Sequence, residues 1–133
     1  MDENRKRVAK ACLDGAENNT MTFPQIVGAL MAEGFESYLI DFRRGTATYY
    51  LPDGDSVDLR THKIDDAVSP AFDVTVIQSA IREAQQLVRG YTYVGFCRKV
   101  VAAGCAGYLV SFSGRRALYF GRTAETHVEY FPN

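Results

Sequence analysis

The chain has 133 residues, of which 47% are hydrophobic and 23% are charged, with 15 Lys and Arg against 16 Asp and Glu. This length fits one domain, and the nearly even charge balance gives no indication of a broad electrostatic surface for nucleic acid or an anionic membrane, although local basic pairs remain possible. Because the first residues lack the apolar core of a signal peptide and no apolar run approaches the ~20 residues of a membrane span, we expect a cytoplasmic protein without membrane association.

The chain matches itself when it is shifted by 70 residues. Identical residues recur at that spacing within one ungapped stretch, at Ala32/Ala102, Gly34/Gly104, Tyr38/Tyr108, Leu39/Leu109, Phe42/Phe112, Ala47/Ala117 and Tyr49/Tyr119. Most of the remaining pairs exchange one apolar side chain for another, as shared burial requires. The sequence therefore predicts a single domain over residues 1–133 with an internal duplication: a first repeat over about 1–60, a connector over 61–70 and a second repeat over about 71–133.

Each repeat begins with two stretches of helical periodicity, in which apolar residues recur every three or four positions. In the first repeat, Thr22 and Gln25 form a predicted capping box at the start of the second helix, which ends near Gly34. In the second repeat, Asp73 is the predicted N-cap of the first helix, and the second helix ends near Gly104. Two helices are therefore expected in each repeat.

After each helix pair the apolar period falls to two, which is typical of β-strands. Turn residues divide each stretch into three strands, with the later strands predicted at residues 46–51 and 57–60 in the first repeat and at 115–120 and 127–131 in the second. We align the last strands with one inserted residue, which places His127 over Ser56 and Glu129 over Asp58. The predicted fold is α+β: two ααβββ repeats related by an approximate internal twofold, with antiparallel meanders in one or two sheets and helices on one side.

The last strand carries the clearest candidate site. If its even-numbered residues face the core, His127 and Glu129 share the opposite sheet face with the start of the neighbouring strand. The candidate catalytic groups are then His127, Glu129 and Arg116. The candidate ligand-binding residues are Arg115, Arg116, Arg122, His127 and Glu129, a set suited to a carboxylate or a phosphate. The alternative is a solvated sheet face with ordinary cross-strand charge pairs.

Comparison of the two repeats separates shared positions from specialised ones. Tyr38, Tyr49 and their equivalents occur in both repeats and are predicted to serve the common fold. His127 differs from its aligned residue, which favours a functional role. Glu129 is aligned with Asp58, another acid, which favours a structural role for that carboxylate.

Other chemical signals are weak. Cys97 and Cys105 align with apolar positions, so we expect buried thiols. The two histidines, His62 and His127, and the three cysteines lack the close spacing of a zinc site. The sequence has no phosphate loop, dinucleotide fingerprint or hydrolase elbow, so we predict no metal and no cofactor.

Nearly the whole chain resembles the bacterial family called domain of unknown function 1398, whose members are often labelled phage envelope proteins. The resemblance is carried by Thr22-Phe23-Pro24, Gly34-Phe35-Glu36-Ser37-Tyr38, Thr48-Tyr49-Tyr50-Leu51-Pro52-Asp53-Gly54, Ala103-Gly104-Cys105-Ala106-Gly107-Tyr108, Gly114-Arg115-Arg116-Ala117-Leu118-Tyr119-Phe120-Gly121-Arg122 and His127-Val128-Glu129. It implies kinship, and it brings no reaction, cofactor or catalytic residue with it.

The leading functional hypothesis is a non-enzymatic binding or regulatory domain. It would use the uncovered sheet face or the cleft between the repeats to hold a small anionic ligand or a protein partner. Tyr50, Phe120 and Phe131 would form an exposed apolar patch for a partner or a homodimer if helices cover only one sheet face.

Two alternatives stay open. One is a small enzyme that uses His127 with Glu129 and Arg115 or Arg116. The other, with the weakest support, is nucleic-acid binding through Arg5-Lys6-Arg7 and exposed aromatic side chains.

Overall fold

The computed structural model describes residues 1–132, which contain four helices and six strands. In chain order these are α1 (Glu3–Glu17), α2 (Phe23–Ala32), β1 (Ser37–Asp41), β2 (Thr46–Tyr50), β3 (Ser56–Arg60), α3 (Val74–Gln86), α4 (Tyr93–Ala102), β4 (Cys105–Ser111), β5 (Arg116–Gly121) and β6 (Thr126–Tyr130). The pattern of two helices followed by three strands occurs twice, consistent with the predicted duplication. No helix within residues 1–132 combines the length and the apolar character needed to cross a membrane.

The two meanders form one continuous antiparallel sheet with the strand order β3-β2-β1-β4-β5-β6. β1 and β4 join the halves, and at the centre of this pairing Leu39 lies opposite Leu109, its own equivalent at the 70-residue spacing. Tyr38 pairs with Val110 and Ile40 pairs with Tyr108, which is the arrangement that a twofold axis through the central pair requires. The question left open by the sequence is therefore answered: there is one sheet.

The predicted helix starts are confirmed by their caps. The Thr22 hydroxyl accepts from the Gln25 amide while the Gln25 side chain accepts from the Thr22 amide, which completes the capping box. Asp73 accepts from the Val76 amide at the start of α3. Both helices therefore begin at the capping residues that the sequence predicts.

All four helices lie on one side of the sheet, which we call the inner face; the opposite side is the outer face. Leu30, Ile77 and Val100, from three different helices, are fully buried at 0% exposure. On the strands, burial alternates with the side-chain period of two, so that β1 and β2 both follow a half-buried, buried pattern. The hydrophobic core therefore lies between the helices and the inner face.

The turns before β3 and β6 have the same length. Tyr50 pairs with Ser56 across the first turn and Phe120 pairs with Thr126 across the second, so six positions separate the partners in both repeats. The 70-residue spacing thus continues to the end of the sheet, and the insertion predicted before His127 is wrong.

The predicted orientation of β6 is also wrong. His127 pairs with Tyr119 and Glu129 pairs with Ala117, and both partners are buried on the inner face. Side chains of directly paired residues lie on the same side of a sheet, so His127 and Glu129 face the helices. Tyr130, an even-numbered residue that was expected to face the core, is 62% exposed. The prediction failed because β6 is an edge strand, where apolar side chains are a poor guide to the buried face.

Candidate ligand-binding cavity

A cavity of about 730 Å³ lies between the helices and the inner face of the sheet. Both repeats line it: α1 contributes Cys12, the loop between α3 and α4 contributes residues 87–91, and the chain around the end of β6 contributes Glu129 and Phe131. Its volume is within the range of small-molecule sites, which is roughly 300–1,000 Å³. The cavity therefore occupies the cleft between the repeats.

Four buried tyrosines cross the sheet wall of this cavity, and we call them the tyrosine belt: Tyr49 on β2, Tyr38 on β1, Tyr108 on β4 and Tyr119 on β5. Centroids of neighbouring rings in this order lie 5.5, 6.4 and 5.1 Å apart. The belt consists of two pairs of equivalent residues, so the internal twofold relates its halves. The shared tyrosines, assigned to the fold alone from the sequence, also line the cavity.

Three belt hydroxyls have no hydrogen-bond partner within residues 1–132, those of Tyr38, Tyr49 and Tyr119. The three residues are only 6%, 3% and 7% exposed. In the described part of the chain, every side-chain nitrogen or oxygen that is sealed from solvent has a partner. These three hydroxyls must therefore open onto the cavity, where they can bond to a bound molecule.

The fourth belt hydroxyl is held by a helix. The hydroxyl oxygens of Tyr108 and Tyr93 lie 2.6 Å apart, which is a hydrogen bond between β4 and α4. Burial raises the pKa of both tyrosines well above the ordinary value, so both stay protonated.

Charged neighbours of the belt are acidic. Burial is the main cause of the raised pKa of Tyr49, and Glu17 and Asp14 of α1 raise this pKa further. Burial likewise raises the pKa of Tyr119, and the Glu129 carboxylate adds to the effect. The belt hydroxyls are therefore neutral groups in a region of negative electrostatic potential.

The structure brings His127 and Glu129 together, as the sequence predicts. The His127 Nε2 and Glu129 Oε2 atoms lie 2.9 Å apart, with side chains that are 13% and 30% exposed. The imidazole ring lies 6.5 Å from the Tyr119 ring, centroid to centroid, and Glu129 lines the cavity. This pair extends the tyrosine belt toward the edge of the sheet.

The predicted arginines lie elsewhere. Arg116 pairs with Tyr130 on the outer face, with its guanidinium carbon 4.9 Å from the ring centroid. Arg115 lies outside the cavity wall but contacts two residues of it: its Nη2 atom is 3.5 Å from the Pro132 carbonyl oxygen, and its guanidinium carbon is 5.9 Å from the centroid of the Phe131 ring. The predicted convergence of His127 with an arginine of β5 is not formed, because the strand register places Arg116 on the opposite sheet face.

Arg122 has a structural contact of its own. Its Nη1 donates to the Val68 carbonyl at 3.2 Å, and this bond attaches the 61–70 connector to the second repeat. The ligand-binding set predicted from the sequence is thus divided between the cavity wall, the outer face and the connector.

The difference between the repeats becomes clear once the register is known. Without the insertion, His127 is the counterpart of Val57 and Glu129 is the counterpart of Leu59, two apolar residues of β3. The second repeat therefore has polar groups where the first has hydrocarbon. If the 70-residue spacing is continued without a gap, the sequence alone aligns His127 with Val57 and Glu129 with Leu59.

Metal-binding chemistry has no support in the geometry. Among the described residues, no three His, Cys, Asp or Glu side chains are grouped as in a metal site. Cys12, Cys97 and Cys105 are free and buried, as expected for the last two. Burial raises the pKa of Cys97 to about 12 and that of Cys105 to about 11, so both remain thiols at neutral pH.

The family described as a protein of unknown function, DUF1398, matches residues 12–129. The chain belongs to this family. The match begins at Cys12 and ends at Glu129, two residues of the cavity wall, so the family region includes the whole tyrosine belt. No curated protein matches the chain. The description of the DUF1398 family gives no activity.

Proposed function

We propose that this protein is a non-enzymatic binding or regulatory domain that holds a small, largely apolar organic molecule in the cavity between its repeats. The observation that carries the proposal is the set of three buried belt hydroxyls that open onto the cavity without a protein partner. An apolar chamber with a few convergent polar groups is the usual form of a small-molecule site.

The belt also indicates how such a molecule is held. The rings of Tyr38, Tyr108 and Tyr119 line the cavity and offer apolar contact, and aromatic ligands gain additional energy from offset or edge-on packing. Each hydroxyl that bonds to the ligand adds about 1 kcal/mol of net binding energy. Shape and apolar burial give affinity, while the hydroxyls orient the ligand.

The cavity gives less support to the small anionic ligand expected from the sequence. That expectation depended on Arg115, Arg116 and Arg122, none of which belongs to the described cavity wall. A carboxylate, Glu129, does belong to it. Repulsion between like charges makes an anion the least favourable occupant.

An enzyme is the second candidate, because Glu129 lines the cavity and His127 is hydrogen-bonded to it. Histidine exchanges protons near neutral pH, and a bonded carboxylate orients its ring. The binding proposal expects a ligand to be recovered unchanged from the protein, whereas a chemically altered ligand would favour the enzyme.

A protein partner or second copy would use the outer face. Leu39, Leu109, Leu118 and Val128 pair in turn across β1, β4, β5 and β6 and form one apolar row there. Leu109 is 37% exposed. Sedimentation across a wide concentration range tests this use of the face, and a monomer throughout would argue against the homodimer.

Nucleic-acid binding has the least support. Arg5 forms an ion pair with Asp2 at 3.0 Å and Lys6 forms one with Glu3 at 3.5 Å, so much of the basic cluster in α1 is neutralised locally. Tyr50 and Phe120 are half-buried on the outer face, and Phe131 lines the cavity. The exposed aromatic platform that this hypothesis requires is not formed by these three residues.

A fluorescent probe tests the proposed function. The protein contains 8 Tyr and no Trp, so the emission of the neutral dye N-phenyl-1-naphthylamine is well separated from that of the protein. We expect a saturable increase in dye emission with one site per chain. Ala117 is buried and lines the cavity, so Ala117→Phe should fill the chamber and weaken binding about tenfold or more.

Leu118→Phe is the matched control, because the next residue of β5 points to the outer face. This variant should bind the dye within about twofold of the wild type. Circular dichroism establishes that both variants fold. No saturable binding by the wild type, or equal loss in both variants, would contradict the proposed function.

A further inference from the structure

We infer that the ligand of this cavity is an organic cation, an aromatic or alicyclic molecule that carries an ammonium group. The inference rests on the proposed function, because it assigns a charge class to the same site. Four features of the wall support it: aromatic rings, a carboxylate, acidic surroundings and free hydroxyls.

Aromatic rings line one wall of the cavity. The tyrosine belt presents four rings along one wall, and Phe96 of α4 adds a fifth, with its centroid 6.4 Å from that of Tyr108 and 6.5 Å from that of Tyr119. The face of an aromatic ring carries partial negative charge and attracts a cation within about 6 Å of its centroid. This attraction is stronger in a chamber from which water is largely excluded.

Glu129 supplies a full negative charge in the same wall. One carboxylate oxygen, Oε2, lies 2.9 Å from His127 Nε2, and the other has no hydrogen-bond partner within residues 1–132. The twofold-related position holds Leu59, which shows that the fold itself has no need of a carboxylate there. A positive group near the second oxygen would stabilise this partly buried carboxylate further.

The surroundings of the belt favour the same charge. Glu17 of α1 adds to the raised pKa of Tyr49 after burial and Cys12, and Asp14, which is also ion-paired with Lys10 at 2.7 Å, adds less. In the described wall the basic residue is Arg89, which lies in the loop between α3 and α4 and is exposed to solvent. An exposed guanidinium is screened by water, whereas Glu129 and the rings act inside the chamber.

The free hydroxyls complete the site. An ammonium group donates hydrogen bonds and accepts none, so it needs acceptors. The oxygens of Tyr38, Tyr49 and Tyr119 open onto the cavity and can accept while their rings contact the apolar part of the ligand. A bound carboxylate would find donors in the same hydroxyls but would also lie near Glu129.

Three naphthalene derivatives of nearly the same size separate the charge classes: 1-naphthylmethylammonium, 1-naphthalenemethanol and 1-naphthoate. Calorimetric titration at neutral pH should show the ammonium compound binding about tenfold more tightly than the alcohol, and the carboxylate binding most weakly. Glu129→Gln should remove the preference for the ammonium compound over the alcohol.

Glu125→Gln is the matched control, because Glu125 is an exposed residue in the turn before β6 and lies outside the described cavity wall. It should keep the full preference for the ammonium compound. If Glu129→Gln folds poorly, Glu129→Leu, which places the residue of the first repeat there, provides the same measurement.

The outcomes separate the two proposals. Failure of all three compounds to bind would overturn the proposed function and this inference together. Equal binding of the alcohol and the ammonium compound, or a preference for naphthoate, would overturn the inference and leave the binding function standing. If Glu129→Gln still binds the ammonium compound more tightly than the alcohol, the Glu129 carboxylate is not the source of the preference, and the inference is overturned.

Discussion

The hydroxyl groups of Tyr93 and Tyr108 lie 2.6 Å apart and form a hydrogen bond between α4 and β4. Both rings also belong to the cavity wall, and Phe96 stacks against Tyr93 with ring centroids 6.2 Å apart. This contact therefore fixes a helix against the tyrosine belt and helps to hold the chamber open.

Tyr93→Phe should lower the free energy of unfolding by about 1 kcal/mol, because it removes one buried hydrogen bond and keeps the ring. The double variant with Tyr108→Phe should lose less than the sum of the two single losses, since both substitutions remove the same bond. Urea denaturation followed by circular dichroism gives all three values. Additive losses would show that the two hydroxyls act independently.

Equivalent glycines of the two repeats should respond differently to alanine. Gly34 and Gly104 have φ values of +89° and +97°, a left-handed conformation that costs alanine roughly 1–2 kcal/mol. A Cβ atom on Gly34 would lie 3.7 Å from the Arg5 side chain, whereas one on Gly104 would overlap the Ala71 carbonyl.

We therefore expect Gly34→Ala to cost about 1–2 kcal/mol and Gly104→Ala about 3 kcal/mol or more. The two variants control for each other, because they share the backbone strain and differ in the overlap. Thermal unfolding of both, compared with the wild type, measures the difference. Equal losses would mean that the 71–72 segment moves away at little cost.

Alkaline pH should destabilise the fold. Burial raises the pKa of Cys97 from 9.0 to about 12, so above pH 9 the unfolded chain releases a proton that the folded chain retains. The unfolded state then binds fewer protons, and the free energy of unfolding falls as pH rises from about 9 to 12. Burial raises the pKa of the belt tyrosines as well, and their contribution has the same sign.

The expected slope is about 1.4 kcal/mol per pH unit for each group that ionises only on unfolding. Urea denaturation at pH 7, 8, 9 and 10 measures it. In Cys97→Ala the slope should be smaller, and Cys97→Ser, which keeps a small polar group, gives a second comparison. Constant stability across this series would contradict the burial of these groups.

Arg116→Gln should leave probe binding within about twofold of the wild type, because Arg116 lies on the outer face beside Tyr130. Loss of a surface contact of this kind costs at most about 1 kcal/mol of stability. Titration with 1-naphthylmethylammonium, the probe described above, measures the affinity. A large loss of binding would show that Arg116 contributes to the binding site, as the sequence predicts.

The sequence was sufficient for the repeats and the helices because their signals are local. The capping box of Thr22 and Gln25 spans four residues, and the 70-residue spacing preserves it in part at Thr92. The single sheet was not predictable, since β1 and β4 pair across a long stretch of chain and each repeat is compatible with a separate meander.

The site was predicted only in part. Strand alternation correctly paired His127 with Glu129, but the face depended on a register that no local pattern determines. A cavity has no sequence pattern of its own, and Tyr38 or Tyr119 follows the same apolar period whether it faces a neighbour or an open chamber. The structure was needed to distinguish the two.

The central pairing of Leu39 with Leu109 has a consequence for the orientation of the proposed ligand. Two identical halves around a twofold axis would accept an unsymmetrical molecule in two equivalent poses. His127 and Glu129 of β6 take the positions that Val57 and Leu59 take in β3, so the two edges of the inner face are chemically distinct. A molecule with one polar end would then bind in a single direction, with that end toward β6.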